Sequence, residues 1–277
     1  MPLYPDFQRS YPSDVSAEEP ILWLLFNEHG VLIQAEGEAA RLIPHSAEVQ
    51  AALAVCAPLV LGSLNGVTYL ACEVPPEVEL PGDCRAVDLR TLYGLVCEQD
   101  WQIAGYASQI LHWQRTSRFC PICGQPTEPM QQEWMRRCAQ CGHERFPQVS
   151  PAVLILVHDG ADRILLAHKP GWGDRYSILA GFVLPGESLE ECVQREVEEE
   201  VGVRVTDLQY VGSQPWPFPH QLMIGFTARH RSGDIRIDTL ELDHAAWFDA
   251  NALPALPPPL SLSRQMIDAW KQAWQTG

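Results

Sequence analysis

The segment "GFVLPGESLEECVQREVEEEVGV", residues 181–203, constrains this chain more than any other. Ser188 and Glu191 make a capping box and Gly202 supplies a stop, so the spacing predicts a helix of about 13 residues. At ~100° per residue, Val193, Val197 and Val201 fall on one stripe, expected to be buried. Glu196, Glu199 and Glu200 gather on a neighbouring face, within an arc of about 100°. A merely solvated face would alternate glutamate with lysine, because like charges one turn apart repel. A cation is therefore expected among them. Hard divalent ions such as Mg²⁺ or Mn²⁺ prefer all-oxygen ligands and commonly bridge carboxylates to phosphates. Glu191 and Glu198 point elsewhere and are expected to be solvated. Arg195, one turn from both Glu191 and Glu199, is placed to orient carboxylates.

A second pattern is "CPICGQPTEPMQQEWMRRCAQCG", in which Cys120, Cys123, Cys138 and Cys141 are spaced C-x2-C-x14-C-x2-C. Each pair forms a knuckle offering two thiolates, and two knuckles complete the tetrahedron of a structural zinc, one per chain. A redox dithiol or an iron–sulfur site is the alternative. Four protein ligands leave no open position, so this metal is not catalytic. Gly124 and Gly142 follow the pairs and permit the sharp turns. The surroundings are basic (Arg115, Arg118, Arg136, Arg137, Arg145): either a landing strip for a polyanion or solubilising side chains around a ribbon.

Composition limits the remaining classes. Nineteen Lys plus Arg against 35 Asp plus Glu give a formal charge of −16, which argues against a surface that grips a phosphate backbone everywhere. The apolar runs "ILWLLF" and "AALAVCAPLVLG" are shorter than the roughly 20 residues of a membrane span, so no membrane association is expected. No basic stretch precedes an apolar run at the start, so no signal peptide is expected. The five cysteines outside the pairs (Cys56, Cys72, Cys84, Cys97, Cys192) stand singly, the usage of a cytoplasmic protein.

Along the chain, residues 1 to about 20 read as extended or frayed. "ILWLLFNEHGVLIQA" and "PLVLGSLNGVTYLACEV" read as hairpins, the second turning at Asn65-Gly66. Apolar spacing from about 90 to 114 predicts a helix closing a small α+β domain. After the cysteines, strands alternate with loops and a helix, and "SLSRQMIDAWKQAW" predicts a terminal amphipathic helix, so an α/β layer fold follows. The expected domains are 1–114, a ribbon at 115–146, and 147–277. "SQPWPFPHQ", residues 213–221, suits neither a helix nor a central strand, since proline lacks the ladder donor. Its prolines are expected to hold Trp216 off the sheet. Phe218 fits a core or a site equally.

Gly181, Glu187 and the run Arg195-Glu196-Val197-Glu198-Glu199-Glu200-Val201-Gly202-Val203 fill every fixed position of the Nudix box, G-x5-E-x7-R-E-U-x-E-E-x-G-U, U being a bulky aliphatic. The chain thus resembles the Nudix hydrolases. The resemblance implies an α/β/α sandwich with a mixed sheet, α/β in that domain and α+β overall, cleaving a diphosphate linked to another moiety with more than one Mg²⁺ or Mn²⁺. It implies that Glu187, Arg195, Glu196, Glu199 and Glu200 serve catalysis, with Glu196, Glu199 and Glu200 as metal ligands or water-activating base. Ala180 would offer its carbonyl to metal. "SQPWPFPHQ" resembles the array of the NADH pyrophosphatase branch, whose members also remove NAD caps from RNA. Gln221 stands where the branch has Ser.

By that resemblance Glu241 is a further metal ligand. The positions that contact substrate are Arg85, Glu133, Phe146, Phe182, Gln214, Pro215, Trp216, Pro217, Phe218, Pro219, His220, Gln221 and Ser263. Phe146 stands where the branch often has Tyr. The implied substrates are NAD(H), related dinucleotides and NAD-capped RNA, and the implied assembly is a homodimer. Two rivals stay open: a Nudix enzyme for ADP-ribose or a diadenosine polyphosphate, and a zinc-ribbon nucleic-acid-binding module with an inactive hydrolase domain.

Overall fold

A computed structural model describes residues 6–11, 20–36 and 39–276. The chain divides into two compact units, one running to Gln148 and including Pro217–Pro219, the other comprising Val149–Trp216 and His220–Gly277.

In the first unit the sheet runs, in order, Gln8–Arg9, Leu59–Leu64, Val67–Glu73, Ile21–Asn27, Gly30–Glu36, Ala39–Arg41. Ile43–Pro44 pairs with Ile21–Asn27, and Cys84–Val87 with Gly30–Glu36. Both expected hairpins form, and Asn65 (φ 52°) and Gly66 (φ 78°) take the left-handed conformations that a two-residue turn demands. Trp23, Leu25, Leu32, Ile43 and Leu70 build the core.

Within residues 1–20, read as extended or frayed, Gln8 and Arg9 are extended and pair with Ser63 and Gly62; residues 1–5 and 12–19 lie outside the described ones. One expectation needs correction. The helix expected over 90–114 is two pieces, Leu89–Leu92 and Glu98–Thr116, since Gly94 turns at φ 87° and the second piece starts afresh from an extended Cys97. The long helix buries Trp101, Ile103, Ala104, Ala107, Ile110 and Trp113. Onto it packs the ribbon, three short strands (Thr127–Pro129, Arg136–Cys138, Glu144–Arg145), through Trp134, which meets Ile110 and Trp113 and donates to Tyr106 Oη at 2.9 Å.

The second unit is a sandwich. Its mixed sheet runs Arg204–Trp216, Gln221–Ser232, Ser150–His158, Arg163–His168, His244–Asp249, with Leu179–Phe182 also paired to Ser150–His158. Ala152–Val157, inside the strand Ser150–His158, reads as unbroken apolar sequence because it is covered on both faces. Val153, Ile155 and Val157 face the helix Leu189–Val201 through Val193, Val197 and Val201, the stripe expected from the sequence. Leu154 and Leu156 face the helix Leu262–Thr276 through Leu262, Met266 and Ile267. Val193 and Ile267, one on each helix, are wholly buried. Burial of each such side chain contributes about 1.5–3 kcal/mol.

Candidate active site and zinc centre

The helix Leu189–Val201 starts where Ser188 accepts from Glu191 N–H while the Glu191 carboxylate accepts from Ser188 N–H at 2.8 Å, and it stops at Gly202 (φ 71°). Glu191 is thereby consumed by the cap. The guanidinium of Arg195 therefore reaches Glu187 instead of Glu191, which corrects half of the pairing expected from one-turn spacing. Arg195 Nε and Nη2 donate to the two oxygens of Glu187 at 2.6 and 3.0 Å. Nη1 donates to both Glu196 and Glu199 at 2.8 Å, and Nη2 also to the Phe182 carbonyl at 2.9 Å. One side chain thus ties the helix to the strand Leu179–Phe182 and fixes three carboxylates. Arg195 holds the Glu187 carboxyl down to about 2, helped by Leu184 N–H. Glu198, expected to be solvated, is exposed and meets Arg204 at 3.2 Å.

Gly181 lies on that strand opposite Val153. A Cβ there would run into the Glu196 carboxylate, so the glycine is what lets a buried acid stand against the backbone. Glu196 and Glu200 are 9% and 2% exposed, whereas Glu199 is exposed. Burial raises the pKa of both buried acids. A second cation answers this: Lys169 Nζ donates to Glu200 Oε1 at 2.9 Å and to Glu241 Oε2 at 3.4 Å. Sequence reasoning missed Lys169, which lies 31 and 72 residues from its partners, where no local period points. His168, beside it, is anchored between Asp243 and the Gly173 carbonyl.

Besides Glu187, the two cations therefore serve four carboxylates, Glu196 and Glu199 on Arg195, Glu200 and Glu241 on Lys169. The other oxygen of Glu200, Oε2, is buried with no hydrogen-bond partner. An orphaned buried carboxylate oxygen is costly. It fits a divalent metal, whose ligands would be drawn from these acids and the half-buried Ala180 backbone.

The cysteines come together as their spacing requires. Cys120 and Cys141 sulfurs are 3.6 Å apart, Cys123 and Cys138 3.5 Å, Cys123 and Cys141 3.6 Å. A tetrahedron of ~2.3 Å zinc–thiolate bonds has edges of ~3.8 Å, so the set fits zinc. Gly124 and Gly142, at φ 73° and 72°, donate back to the Cys120 and Cys138 carbonyls at 2.9 Å, closing each knuckle. Among the described residues this is the one group of three or more such side chains with every ligand atom within 4.8 Å of the others.

The positions expected to contact substrate divide between the units. Arg85, Glu133 and Phe146 are exposed in the first unit, which also holds Pro217 buried, Phe218 half-buried and Pro219 exposed. The Phe218 ring lies under the Arg90 guanidinium, 3.7 Å from centroid to Cζ. In the second unit Phe182 and Pro215 are exposed, and Trp216, His220 and Gln221 half-buried. Trp216 does not stand off the sheet: it pairs with Gln221 at the end of an edge strand, where proline is tolerated. Gln214 is buried and spends its amide internally, donating to Leu260 O at 2.8 Å and accepting from Leu262 N at 2.7 Å, which fixes the start of the last helix. Ser263 is buried and donates to Ser261 Oγ at 3.1 Å.

Comparison with known proteins agrees with this geometry. Residues 149–270 match the NUDIX domain, residues 115–146 the NADH pyrophosphatase zinc ribbon domain, and residues 20–113 the NADH pyrophosphatase-like rudimentary NUDIX domain. NAD-capped RNA hydrolase NudC of Pseudomonas aeruginosa is 44% identical over 211 residues, 76% of this chain and 75% of that protein. The chain belongs to the Nudix hydrolase family. Within the family this hydrolase falls in the NADH pyrophosphatase branch. NAD-capped RNA hydrolase NudC of Deinococcus radiodurans is 38% identical over 258 residues, 92% of this hydrolase and 89% of that protein. A crystal structure of a NUDIX hydrolase from Nitrosomonas europaea shares the fold, with a TM-score of 0.50 at 18% identity over 58% of this chain and 93% of that one. Family membership brings a divalent metal with it, and among the described residues no helix is long and apolar enough to cross a membrane.

Proposed function

We propose that this Nudix hydrolase cleaves the pyrophosphate of NAD(H), giving nicotinamide mononucleotide and AMP, and removes NAD caps from RNA 5′ ends. The observation that carries the reading is similarity to proteins named NAD-capped RNA hydrolase along 92% of the chain in the longest of the matches described above. The complete set of paired carboxylates supports activity over an inert hydrolase domain.

Glu196, Glu199, Glu200, Glu241 and the Ala180 carbonyl would hold Mg²⁺ or Mn²⁺, more than one ion. When bound, these ions neutralise phosphate charge and acidify water. Glu187 orients Arg195, and Arg195 in turn positions Glu196 and Glu199. Lys169 offsets the charge of Glu200 and Glu241. A carboxylate oxygen not engaged by metal takes the proton of the water that attacks phosphorus. Phe146, Phe182 and Trp216 offer flat faces to the dinucleotide rings; such stacking contributes about 1–3 kcal/mol per base. Arg85, Glu133 and Ser263 remain proposed substrate contacts, and Gln214 acts through the loop it holds. The reading includes a cytoplasmic homodimer and three domains, 1–114, 115–146 and 147–277.

The test is hydrolysis by purified protein with Mn²⁺ of NADH, ADP-ribose and diadenosine tetraphosphate, compared by kcat/KM. NADH should lead. A clear preference for either of the others overturns the choice of substrate.

A further inference from the structure

The first unit contains a cleft of about 500 Å³ whose lining includes Arg115, Arg118, Phe119, Thr127, Arg136 and Glu73. Its charge is unusual for a chain with a formal charge of −16. Arg136 is held in place, donating from Nε to Thr127 Oγ1 at 2.8 Å and from Nη2 to Thr127 O at 2.5 Å. Neither acceptor is anionic. Arg145 lies directly opposite Arg136 across the ribbon strands, a like-charge rung that costs stability. Arg118 adds to it: burial first, then the Arg118 charge, works against the Arg136 guanidinium. Among the described residues Arg118 has no carboxylate partner, and the acid in the cleft, Glu73, is already taken by Arg115 at 2.8 Å.

Guanidinium groups crowded together without acids are relieved by an anion. Phe119 decides which kind. It lines the same cleft and is 62% exposed, an apolar face that water would otherwise have to cover. A cationic groove beside an exposed aromatic ring is the arrangement that takes single-stranded nucleic acid, the cations following the backbone and the ring receiving a base.

We propose that this cleft binds single-stranded RNA, with Arg118 and Arg136 on the phosphates and Phe119 stacked on a base. The inference rests on the reading of NAD-capped RNA as substrate and adds a place where the body of the RNA is held. Each arginine that engages a phosphate contributes to the salt dependence of binding.

The experiment uses the full chain and a fluorescently labelled single-stranded RNA with a 5′-hydroxyl, read by anisotropy without divalent metal across a salt series. Arg118→Glu should weaken binding about tenfold and flatten the salt dependence by roughly one to two phosphates. Phe119→Ala should weaken it at least about fivefold. Both variants should keep zinc and wild-type kcat/KM on NAD, while kcat/KM on NAD-capped RNA falls in step with affinity. Unchanged RNA affinity in Arg118→Glu overturns the proposal. Equal affinity for a duplex of the same sequence, or no effect of Phe119→Ala, overturns the single-strand assignment. If wild type fails to hydrolyse NAD, the substrate reading fails, while the anisotropy still decides the cleft.

Discussion

The zinc centre and the glutamate cluster both assemble metal ligands, and they do so in opposite ways. Four cysteines converge with all sulfurs within 4.8 Å, on two knuckles closed by their own backbone hydrogen bonds. The glutamates are instead held apart, each tied to Arg195 or Lys169, with one buried oxygen of Glu200 unsatisfied. Thiolates of a structural site have one task, so convergence costs nothing in function. Carboxylates that must exchange metal, water and phosphate need cations that keep them charged and positioned yet can yield. The closed site is built from two knuckles of neighbouring chain; the open one joins the carboxylates of one helix to Lys169 and Glu241, which lie far from it in sequence.

The contrast can be broken most forcefully at the zinc. Structural zinc contributes ~10–16 kcal/mol in small finger peptides, so Cys138→Ser should release the metal and expose 118–146 to protease. Zinc content near one per chain with unchanged protease resistance would refute a closed structural site. Next comes Glu200→Gln, expected to lower kcat on NADH by about a thousandfold or more. Its unfolding midpoint should shift by only a few degrees, because the burial penalty on the carboxylate goes as well and Lys169 keeps Glu241. An active variant would remove Glu200 from the chemistry. The smallest expected effect sharpens the idea of yielding cations: Lys169→Met should tighten Mn²⁺ binding by roughly tenfold, read by paramagnetic resonance titration, since no ammonium then competes for Glu200 and Glu241. Weaker Mn²⁺ binding would make Lys169 a support for the metal site and not a competitor.

The helix Leu189–Val201 was legible to the residue because its cap, stop and apolar stripe are all local. So were the two hairpins and the cysteine knuckles. Arg195 was half legible: one-turn spacing found Glu199, but the capping box had already claimed Glu191, and Glu187 lies outside the helix. Lys169 was invisible, since nothing local distinguishes it from any loop lysine. Gln214 stood inside a motif that suggested substrate contact, yet its amide is spent on the backbone at Leu260 and Leu262, 46 and 48 residues away. Gly94 was a legible break that helical spacing on either side overrode. Local grammar was readable where partners are neighbours, and failed where tertiary contacts choose the partner.

The parallel pairing of Ser150–His158 with Gln221–Ser232 has a consequence for biogenesis. Ser150 aligns with Gln221 and His158 with Arg229, so one edge of the central strand waits some seventy residues for its partner, the other being paired sooner by Arg163–His168 and Leu179–Phe182. During synthesis at ~5–20 residues per second, that is an interval of several seconds in which the strand's edge is bare. The glutamate helix, complete with its own caps, is translated within that interval and can form in about a microsecond. It can shelter the Val153, Ile155 and Val157 face before the ladder closes, so the segment that carries the chemistry also acts as the sheet's first chaperone.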